Sequence, residues 1–294
     1  MPIKTLVLAG RRASGDDVAD SSGLRHRALL PIAGVPMLER VVDAIEQSGV
    51  ASSITVSSDD PRLVHGTPML ATLAEESRGF LHFHRAGASP AASVADYFVN
   101  VAASEPVFVT TADHPLLTPE IICYFVEHAR ASSADFVVGM VPATVYRRRF
   151  PGQPRTFLRM RGEQYSGANL FLMRTPSSVA VPRFWTRAEA HRKTPWRLVQ
   201  VFGMGNLVRF LLGRFDLSAA LAEASSVIGV KVEAVELPFA EAALDVDKEE
   251  DRLAVEEVFA RRSGRDDLSA AGRVGADTTA TEWRPIETRR RTRR

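Results

Sequence analysis

The sequence predicts an α/β fold in which a mostly parallel sheet lies between two layers of helices. Short apolar runs of strand length alternate with stretches of helical periodicity along most of the chain. The first run, residues 5–9, is uncharged and is followed by Gly10, which is typical of a central parallel strand covered on both faces. A later run, residues 106–112, is followed by Asp113. Both runs therefore send loops to the same edge of the sheet, where such folds bind ligands.

Turn and capping residues separate the predicted elements. The predicted strands lie at residues 5–9, 53–58, 80–84, 106–112, 135–141, 165–173 and 231–237. Helix starts are predicted at Pro36, Asp60, Ser89–Pro90 and Thr118–Pro119, and Gly49 is predicted to end the first helix. A mainly helical insert is predicted at about 176–228, and an amphipathic helix is predicted after the acidic run that begins at Asp245.

The composition is that of a globular protein in a reducing compartment. The chain has 294 residues, of which 45% are hydrophobic and 24% are charged, enough for one large or two small domains. A single cysteine allows no intrachain disulfide. No apolar run approaches the roughly 20 residues of a membrane helix, and the N-terminus lacks the pattern of a secretory signal. We therefore expect a cytoplasmic protein without a transmembrane segment.

The positive net charge belongs to the end of the chain. Residues 261–294 contain 10 Arg and 5 acidic side chains, whereas the whole chain has a net charge of +2. The remainder is therefore slightly acidic, which argues against nucleic acid as a partner. Residues 263–294 are predicted to form a disordered basic tail after a domain at residues 1–262, because they contain almost no apolar side chains. Weak contact of this tail with an anionic membrane surface is one interpretation, and a solvated tail is the other.

The loop after the first strand and the acidic end of the later strand point to phosphate chemistry. Arg11 and Arg27 flank a long polar loop whose backbone N–H groups and guanidinium groups can hold phosphate oxygens. Burying the carboxylate of Asp113 without a partner would be costly, so this position favours a bound cation. A simple turn aspartate is the alternative interpretation.

Three motifs, in the same order along the chain, resemble those of the MobA-like nucleotidyltransferases. The first combines Leu8-Ala9-Gly10 with the stretch Ala28–Leu38, the second is Thr111–Pro119, and the third is Leu244–Asp251. The resemblance covers roughly residues 3–258. It implies a three-layer Rossmann-like fold of the GT-A type, with a mixed, mostly parallel sheet, and Mg²⁺ as cofactor.

The resemblance also implies roles for individual residues. The implied nucleotide-binding residues are Ala9, Gly10, Arg11, Arg27, Ser93 and Asp113. The implied metal ligands are Asp113, Asp247 and Asp245, with Asp247 preferred over Asp245, and the implied catalytic residues are Arg27, Asp113 and Asp247. Arg11 replaces the second glycine of the family and Arg27 replaces its lysine, which keeps the charge but changes the hydrogen-bonding geometry. For Ser93, ligand contact and helix capping are both open.

The acceptor is expected beside the strand at residues 165–173. In the resembled enzymes the entrance of this strand helps to hold the acceptor, which implies roles for Gly167 and Asn169. The basic stretch from Tyr146 to Arg161 is interpreted as a hairpin-like insert that offers Arg155 or Arg159 to a phosphate, with Arg159 chosen as the acceptor-binding residue. A solvated hairpin is the alternative.

The reaction implied by the resemblance is nucleotidyl transfer. A nucleoside monophosphate would pass from CTP or GTP to a phosphorylated small molecule, such as a sugar or polyol phosphate, with release of pyrophosphate. Such chemistry depends on positioning and charge neutralisation more than on a covalent nucleophile. Two alternatives stay open: a GT-A glycosyltransferase that uses a nucleotide sugar, and a degenerate nucleotide-binding protein without activity. The base, the acceptor and the oligomeric state do not follow from the sequence.

Overall fold

A central sheet organises the computed structural model, which describes residues 1–10, 26–75, 80–102, 105–190 and 215–271. The strands of the main sheet are β1 (Ile3–Leu8), β4 (Ala51–Ser58), β5 (Leu81–Arg85), β6 (Val107–Thr111), β7 (Phe136–Pro142), β8 (Leu158–Arg159), β9 (Gln164–Met173) and β10 (Val232–Glu236). Their order is β10-β7-β9-β6-β1-β4-β5, and β8 pairs with β9. A separate hairpin consists of β2 (Pro31–Ile32) and β3 (Val35–Pro36).

Eight α-helices are described. They are α1 (Met37–Ser48), α2 (Pro68–Glu75), α3 (Pro90–Val101), α4 (Pro119–Ala131), α5 (Ala143–Arg149), α6 (Ala180–Ala190), α7 (Leu217–Ile228) and α8 (Glu249–Ala271). Short 3-10 helices are described at Arg27–Leu29, Pro61–His65, Pro176–Val179 and Ala240–Ala243. None of the helices in the described ranges has the length and apolar character that a membrane span requires.

The sheet is mostly parallel, as predicted. Strand β1 pairs in parallel with β4 and β6, β4 pairs in parallel with β5, and β10 pairs in parallel with β7. Strand β9 runs antiparallel to its neighbours β6, β7 and β8. Because the chain leaves β1 first for β4 and later returns to β6 on the other side, the carboxyl end of β1 lies at a switch point of the sheet, where α/β folds form a crevice.

Helices cover both faces of the sheet, which confirms the predicted three layers. On one face, Val7 and Phe108 pack in a cluster with buried side chains of α1, α2 and α4. On the other face, Leu6 and Val109 pack with buried side chains of α3, while α6 and α7 complete that layer. Consecutive residues of β1 therefore serve opposite cores, as the period of two in a strand requires. Each fully buried aliphatic side chain contributes roughly 1.5–3 kcal/mol relative to exposure.

A third cluster fixes the hairpin β2–β3 against the last helix. Leu30, Ile32 and Met37 pack with apolar side chains of α8 and of the segment before it. The hairpin turn has positive φ at both Ala33 (46°) and Gly34 (80°), the conformation that a two-residue hairpin turn favours. This packing holds Arg27, which lies just before the hairpin, close to the segment that precedes α8.

Most predicted helix boundaries are confirmed by hydrogen bonds. The side chains of Asp60, Ser89 and Thr118 each cap a helix by accepting from a backbone N–H in its first turn. Gly49 ends α1 with φ of 66°, the left-handed conformation in which glycine has no steric cost. Pro36 stands one position before α1 rather than in its first turn.

Two other predictions differ from the structure. The stretch predicted as a hairpin from Tyr146 begins instead as α5, because Tyr146 is fully buried on the helix, and only β8 pairs with β9 as a hairpin. Helix α8 continues to Ala271, so residues 263–271 of the predicted tail are helical, since only Gly264 in that stretch disfavours a helix strongly. The rest of the tail, Arg11 and residues 191–214 of the predicted insert lie outside the described residues. The described parts of the insert, 176–190 and 215–228, are mainly helical.

Candidate functional site

Two backbone hydrogen bonds join the strand ends that border the crevice. The N–H of Ala9 donates to Ser57 O at 2.8 Å, and the N–H of Ala112 donates to Leu8 O at 2.9 Å. Gly10 and Asp113 therefore follow strands whose ends are fixed side by side. The sequence prediction that both loops leave the same edge of the sheet is confirmed.

The acidic segment before α8 lies against Asp113. The N–H of Val246 donates to the backbone oxygen of Asp113 at 2.9 Å. Leu244 and Val246 are fully buried in the third cluster. Because side chains alternate along an extended segment, Asp245 and Asp247 point away from that cluster and toward the crevice. A hydrophobic anchor thus places two carboxylates beside a third.

Arg27 joins the two acidic segments and defines what we call the Arg27 cluster, composed of Arg27, Asp113 and Asp247. Its Nη2 lies 2.7 Å from Asp247 Oδ1 and 3.4 Å from Asp113 Oδ2, and it also donates to Val246 O. The Arg27 side chain is 8% exposed. His26 shapes this position, because its Nδ1 accepts from Ala28 N at 3.1 Å and so caps the 3-10 turn. The sequence patterns gave no role to His26, since a histidine cap is uncommon.

Asp113 lies in an environment that disfavours its charge. Burial raises the pKa of Asp113, and the charges of Asp245 and Asp247 act in the same direction, while the Arg27 guanidinium opposes them. Its Oδ1 is buried and has no hydrogen-bond partner among the described residues. A buried carboxylate oxygen without a partner favours a bound cation that accepts oxygen ligands.

The neighbouring Arg155 cluster consists of Arg155, Asp245, Ser166 and Asn169. Arg155 donates through Nη1 to Asp245 Oδ1 and through Nε to Ser166 Oγ at 2.9 Å. Asn169 Nδ2 donates to the other oxygen, Asp245 Oδ2, at 3.2 Å. Burial alone would raise the pKa of Asp245, but the hydrogen bond and the charge of Arg155 hold it below its usual value. Asp245 is therefore an ion-paired carboxylate.

An irregular turn of backbone in β9 places Asn169. This residue has φ of 52°, and the pairing of β9 with β7 shifts register between Val138 and Met140. Asparagine is one of the few residues other than glycine that adopt this conformation readily. Gly167, two residues earlier, is exposed, and a Cβ there would meet nothing within 4 Å in the described part of the chain. The open surface beside Gly167 and the bulge at Asn169 lie next to the Arg155 cluster.

Ser93 organises the loop that precedes α3. Its hydroxyl accepts from Gly87 N at 2.9 Å and donates to Ser89 O at 3.0 Å, and the residue is 3% exposed. Ser89 caps α3, so Ser93 is not the cap of this helix and instead binds the backbone of the preceding loop. A side chain on Gly87 would approach the backbone nitrogen of Ser93 to 3.3 Å, which makes glycine the residue that fits this loop closely. Contact of Ser93 with a nucleotide stays a prediction.

The structure favours Arg155 over Arg159 as the arginine beside Asp245. Arg159 lies on the exposed strand β8, paired through its backbone with Gln164. The two arginines are only four residues apart in the sequence, but Arg155 lies in the loop before β8 and Arg159 lies on β8 itself. The choice of Arg159 as an acceptor-binding residue has no supporting contact in the described part of the chain.

A Ser57–His84–Asp96 array lies beside the crevice and was not predicted from the sequence. His84 Nδ1 lies 3.0 Å from Ser57 Oγ, and His84 Nε2 lies 2.9 Å from Asp96 Oδ2. Hydrolase triads use the opposite ring nitrogens, and Ser57 is only 1% exposed. We therefore interpret the array as a link between β4, β5 and α3, the helix that follows the Ser93 loop.

Asp113 and Asp247 fit a small divalent cation. Mg²⁺ prefers oxygen ligands, and in phosphoryl-transfer sites it commonly takes one or two carboxylates together with water and substrate phosphates. The buried oxygen of Asp113 and the nearby carboxylate of Asp247 match that chemistry. Asp245 is already paired through both oxygens. Within the described ranges, no group of three or more His, Cys, Asp and Glu side chains is arranged to hold a metal, so the protein would supply only part of the coordination.

Comparison with known proteins identifies the family. The model of the MobA-like NTP transferase domain matches residues 5–195, which include most of the first strand, Arg27, Asp113 and the Arg155 cluster apart from Asp245. The chain belongs to this nucleotidyltransferase family. The resemblance seen in the sequence is thereby confirmed, and so is the Rossmann-like fold.

Individual proteins are also similar to this chain. A 3-deoxy-manno-octulosonate cytidylyltransferase from Desulfosudis oleivorans is 31% identical over 102 residues, which is 35% of this chain. The match spans only 40% of the length of that relative. A hypothetical transferase structure from Thermus thermophilus has a TM-score of 0.68 and 29% identity, covering 86% of this chain and all of the other.

Two more distant structures share the fold alone. One is a CMP:2-keto-3-deoxy-manno-octonic acid synthetase in complex with CTP, with a TM-score of 0.53, 14% identity, and coverage of 89% of this chain and 100% of the other. The other is a 4-diphosphocytidyl-2C-methyl-D-erythritol synthase from Anaerococcus prevotii, with a TM-score of 0.52, 10% identity, and coverage of 88% and 99%.

Proposed function

We propose that this family member transfers a nucleoside monophosphate from CTP, or from GTP, to a phosphorylated small molecule such as a sugar or polyol phosphate. The observation that carries the proposal is the Arg27 cluster, in which a guanidinium and two carboxylates meet at the carboxyl end of β6. The names of three relatives refer to cytidylyl chemistry or to CTP, which favours CTP over GTP.

The reaction needs positioning and charge neutralisation. An oxygen of the acceptor phosphate attacks the α-phosphorus of the triphosphate, the new P–O bond forms, the bond to the bridging oxygen breaks, and pyrophosphate leaves. A phosphate monoester is already deprotonated at neutral pH. No general base is then required, and the residues contribute by orienting two anions that otherwise repel each other.

Each half of the site has a distinct task in this proposal. Gly10, Arg11 and Arg27 orient the triphosphate through backbone N–H groups and guanidinium groups. Asp113 and Asp247 would hold Mg²⁺, which would neutralise charge on the reacting phosphate groups. The Arg155 cluster, which lies next to the exposed Gly167, would orient the anionic group of the acceptor.

Pyrophosphate release is the direct test. The full chain is incubated with Mg²⁺, each of the four nucleoside triphosphates, and a panel of sugar phosphates, polyol phosphates and 3-deoxy sugar acids. We expect pyrophosphate release and a product of matching mass for one triphosphate and one phosphorylated acceptor class. Turnover with a 3-deoxy sugar acid alone would keep nucleotidyl transfer and refute a phosphate acceptor. The variant Glu127→Gln, which changes an exposed carboxylate on α4, serves as the matched control for Asp113→Asn.

Three results would overturn the proposal. One is release of a free nucleoside diphosphate from a nucleotide sugar, which would identify a glycosyltransferase. The second is the absence of both turnover and thermal stabilisation with every triphosphate, although a native-state ligand raises the apparent stability. The third is thermal stabilisation by a triphosphate without turnover across the panel, which would instead favour a degenerate binding protein.

A further inference from the structure

Arg27 lies where a divalent cation would have to approach Asp113 and Asp247. Its Nη2 is 2.7 Å from one carboxylate and 3.4 Å from the other, and the side chain is almost completely buried. The same nitrogen donates to Val246 O, so that one guanidinium nitrogen has three oxygen partners. One positive charge of the protein itself therefore already offsets part of the charge of the two carboxylates.

In this arrangement, Arg27 and a divalent cation compete for the same carboxylate oxygens. A divalent cation that binds both carboxylates would lie within a few ångströms of a guanidinium that points at the same oxygens, and like charges at such distances repel strongly in a partly buried site. The cation can bind well only if Arg27 turns to another anion. Phosphate oxygens offer the bidentate geometry that a guanidinium prefers.

We propose that Arg27 is a resident counter-ion that suppresses binding of divalent cations until a triphosphate draws its guanidinium away. Metal and nucleotide then enter the site as one unit. The inference rests on the proposed function only in taking a metal–triphosphate complex as the ligand of this site. It assigns Arg27 a second role beyond phosphate binding, namely exclusion of free metal from Asp113 and Asp247.

The Arg155 cluster provides an internal comparison for this inference. Arg155 also pairs with an acidic side chain, Asp245, but that carboxylate is held by Asn169 as well and shares no guanidinium with Asp113 in the described ranges. Removing either arginine makes the site more negative by one charge. Only removal of Arg27 uncovers the two carboxylates that are expected to bind metal.

Binding of Mn²⁺ alone tests the inference without any turnover. The full-length wild type, Arg27→Gln, Arg27→Lys and Arg155→Gln are titrated with Mn²⁺ in the absence of nucleotide, and free Mn²⁺ is read by electron paramagnetic resonance. We expect Arg27→Gln to bind Mn²⁺ about tenfold more tightly than the wild type or more, because a nearby positive charge has been removed. Arg27→Lys and Arg155→Gln should stay within about threefold of the wild type.

A second pair of variants links the effect to the two carboxylates. Adding Asp247→Asn to Arg27→Gln should abolish the gain in Mn²⁺ affinity, whereas adding Glu127→Gln should not. Circular dichroism melting curves show whether each variant is folded. If Arg27→Gln does not fold, Arg27→Met takes its place: tighter Mn²⁺ binding than by the wild type supports suppression, and binding no tighter than by the wild type contradicts it.

The inference is wrong if folded Arg27→Gln binds Mn²⁺ no more tightly than the wild type, or if Arg155→Gln gains as much affinity as Arg27→Gln. Its failure can be told apart from failure of the proposed function. If the wild type releases pyrophosphate but Arg27→Gln shows no change in Mn²⁺ affinity, the proposed function is retained and the counter-ion role is refuted. A gain in Mn²⁺ affinity without turnover on any triphosphate would do the reverse.

Discussion

The Arg27 cluster and the Arg155 cluster are built from the same chemistry but from different kinds of structure. In each cluster, an arginine pairs with one aspartate of the segment before α8. In the Arg27 cluster, two of the residues are placed by regular secondary structure, since Arg27 begins a 3-10 turn and Asp113 follows β6. In the Arg155 cluster, Arg155 lies in a loop and Asn169 lies at a bulge with positive φ.

From this difference we expect a shared function for the Arg27 cluster and a substrate-specific one for the Arg155 cluster. A carboxylate at the end of a central strand is placed by the sheet itself, so that such a site can be shared by enzymes with different substrates. A loop and a bulge can change length or direction without cost to the core. We therefore expect changes in the Arg27 cluster to affect the chemical step, and changes in the Arg155 cluster to affect the choice and affinity of the acceptor.

The largest effect is expected from the carboxylates of the Arg27 cluster. Asp113→Asn and Asp247→Asn should each lower kcat/KM by about 10²–10³-fold, the loss that follows removal of one preorganised charge interaction in an active site. Asp245→Asn should act mainly through the KM of the acceptor. Initial rates of pyrophosphate release at varied Mg²⁺ check this. An equal loss of Mg²⁺ dependence in Asp245→Asn and Asp247→Asn would show that both belong to one metal site and would remove the distinction between the clusters.

A smaller effect is expected from the arginine of the second cluster. Arg155→Gln should raise the KM of the acceptor by about tenfold or more, because a charge-assisted hydrogen bond is worth roughly 1.5–3 kcal/mol. Arg159→Gln, its neighbour on the exposed strand β8, should leave this KM almost unchanged. The KM of the triphosphate should not change in either variant. If Arg159→Gln has the larger effect, the loop before β8 must move when the acceptor binds.

The contrast between the clusters also shows why one was easier to predict from the sequence than the other. The strands, the caps of three helices and the order of layers follow from periodicity and from local hydrogen bonding, so they were predictable. Asp113 was predictable as well, because a carboxylate directly after a buried apolar strand is costly to bury unless a cation accompanies it. The family motifs assigned Arg27 and Asp247, which are 220 residues apart, to one site, but the direct pairing of the two side chains was not predicted.

Tertiary packing decided the features that were not predictable. Arg155 and Arg159 lie in one short basic stretch, and only the folded structure shows that Arg155 contacts Asp245 while Arg159 lies on the exposed strand β8. Asn169 has an unusual φ because the register of β9 shifts against β7, which no local pattern reveals. The His84 array depends on the pairing of β4 with β5.

A change of several-fold is expected in the loop before α3. Ser93→Ala leaves the N–H of Gly87 without its hydroxyl partner and should raise the KM of the triphosphate about fivefold, with little effect on the KM of the acceptor. Ser89→Ala, which removes the cap of α3, should instead lower the free energy of unfolding by about 1 kcal/mol. Steady-state kinetics with denaturant unfolding separates the two. A rise in the KM of the acceptor in Ser93→Ala would place this loop on the acceptor side.

The smallest effect is expected at Asn169, where two contributions of one side chain can be separated. Its backbone requires positive φ, and its amide donates to Asp245. Asn169→Gly keeps the backbone conformation and loses the amide, so its stability should stay within about 1 kcal/mol of the wild type while the KM of the acceptor rises. Asn169→Ala loses both and should be less stable than Asn169→Gly by about 1 kcal/mol. Urea unfolding and acceptor kinetics on both variants measure these two contributions. If Asn169→Gly and Asn169→Ala are equally stable, the bulge relaxes when the side chain is removed, and the amide rather than the backbone fixes the geometry of the Arg155 cluster.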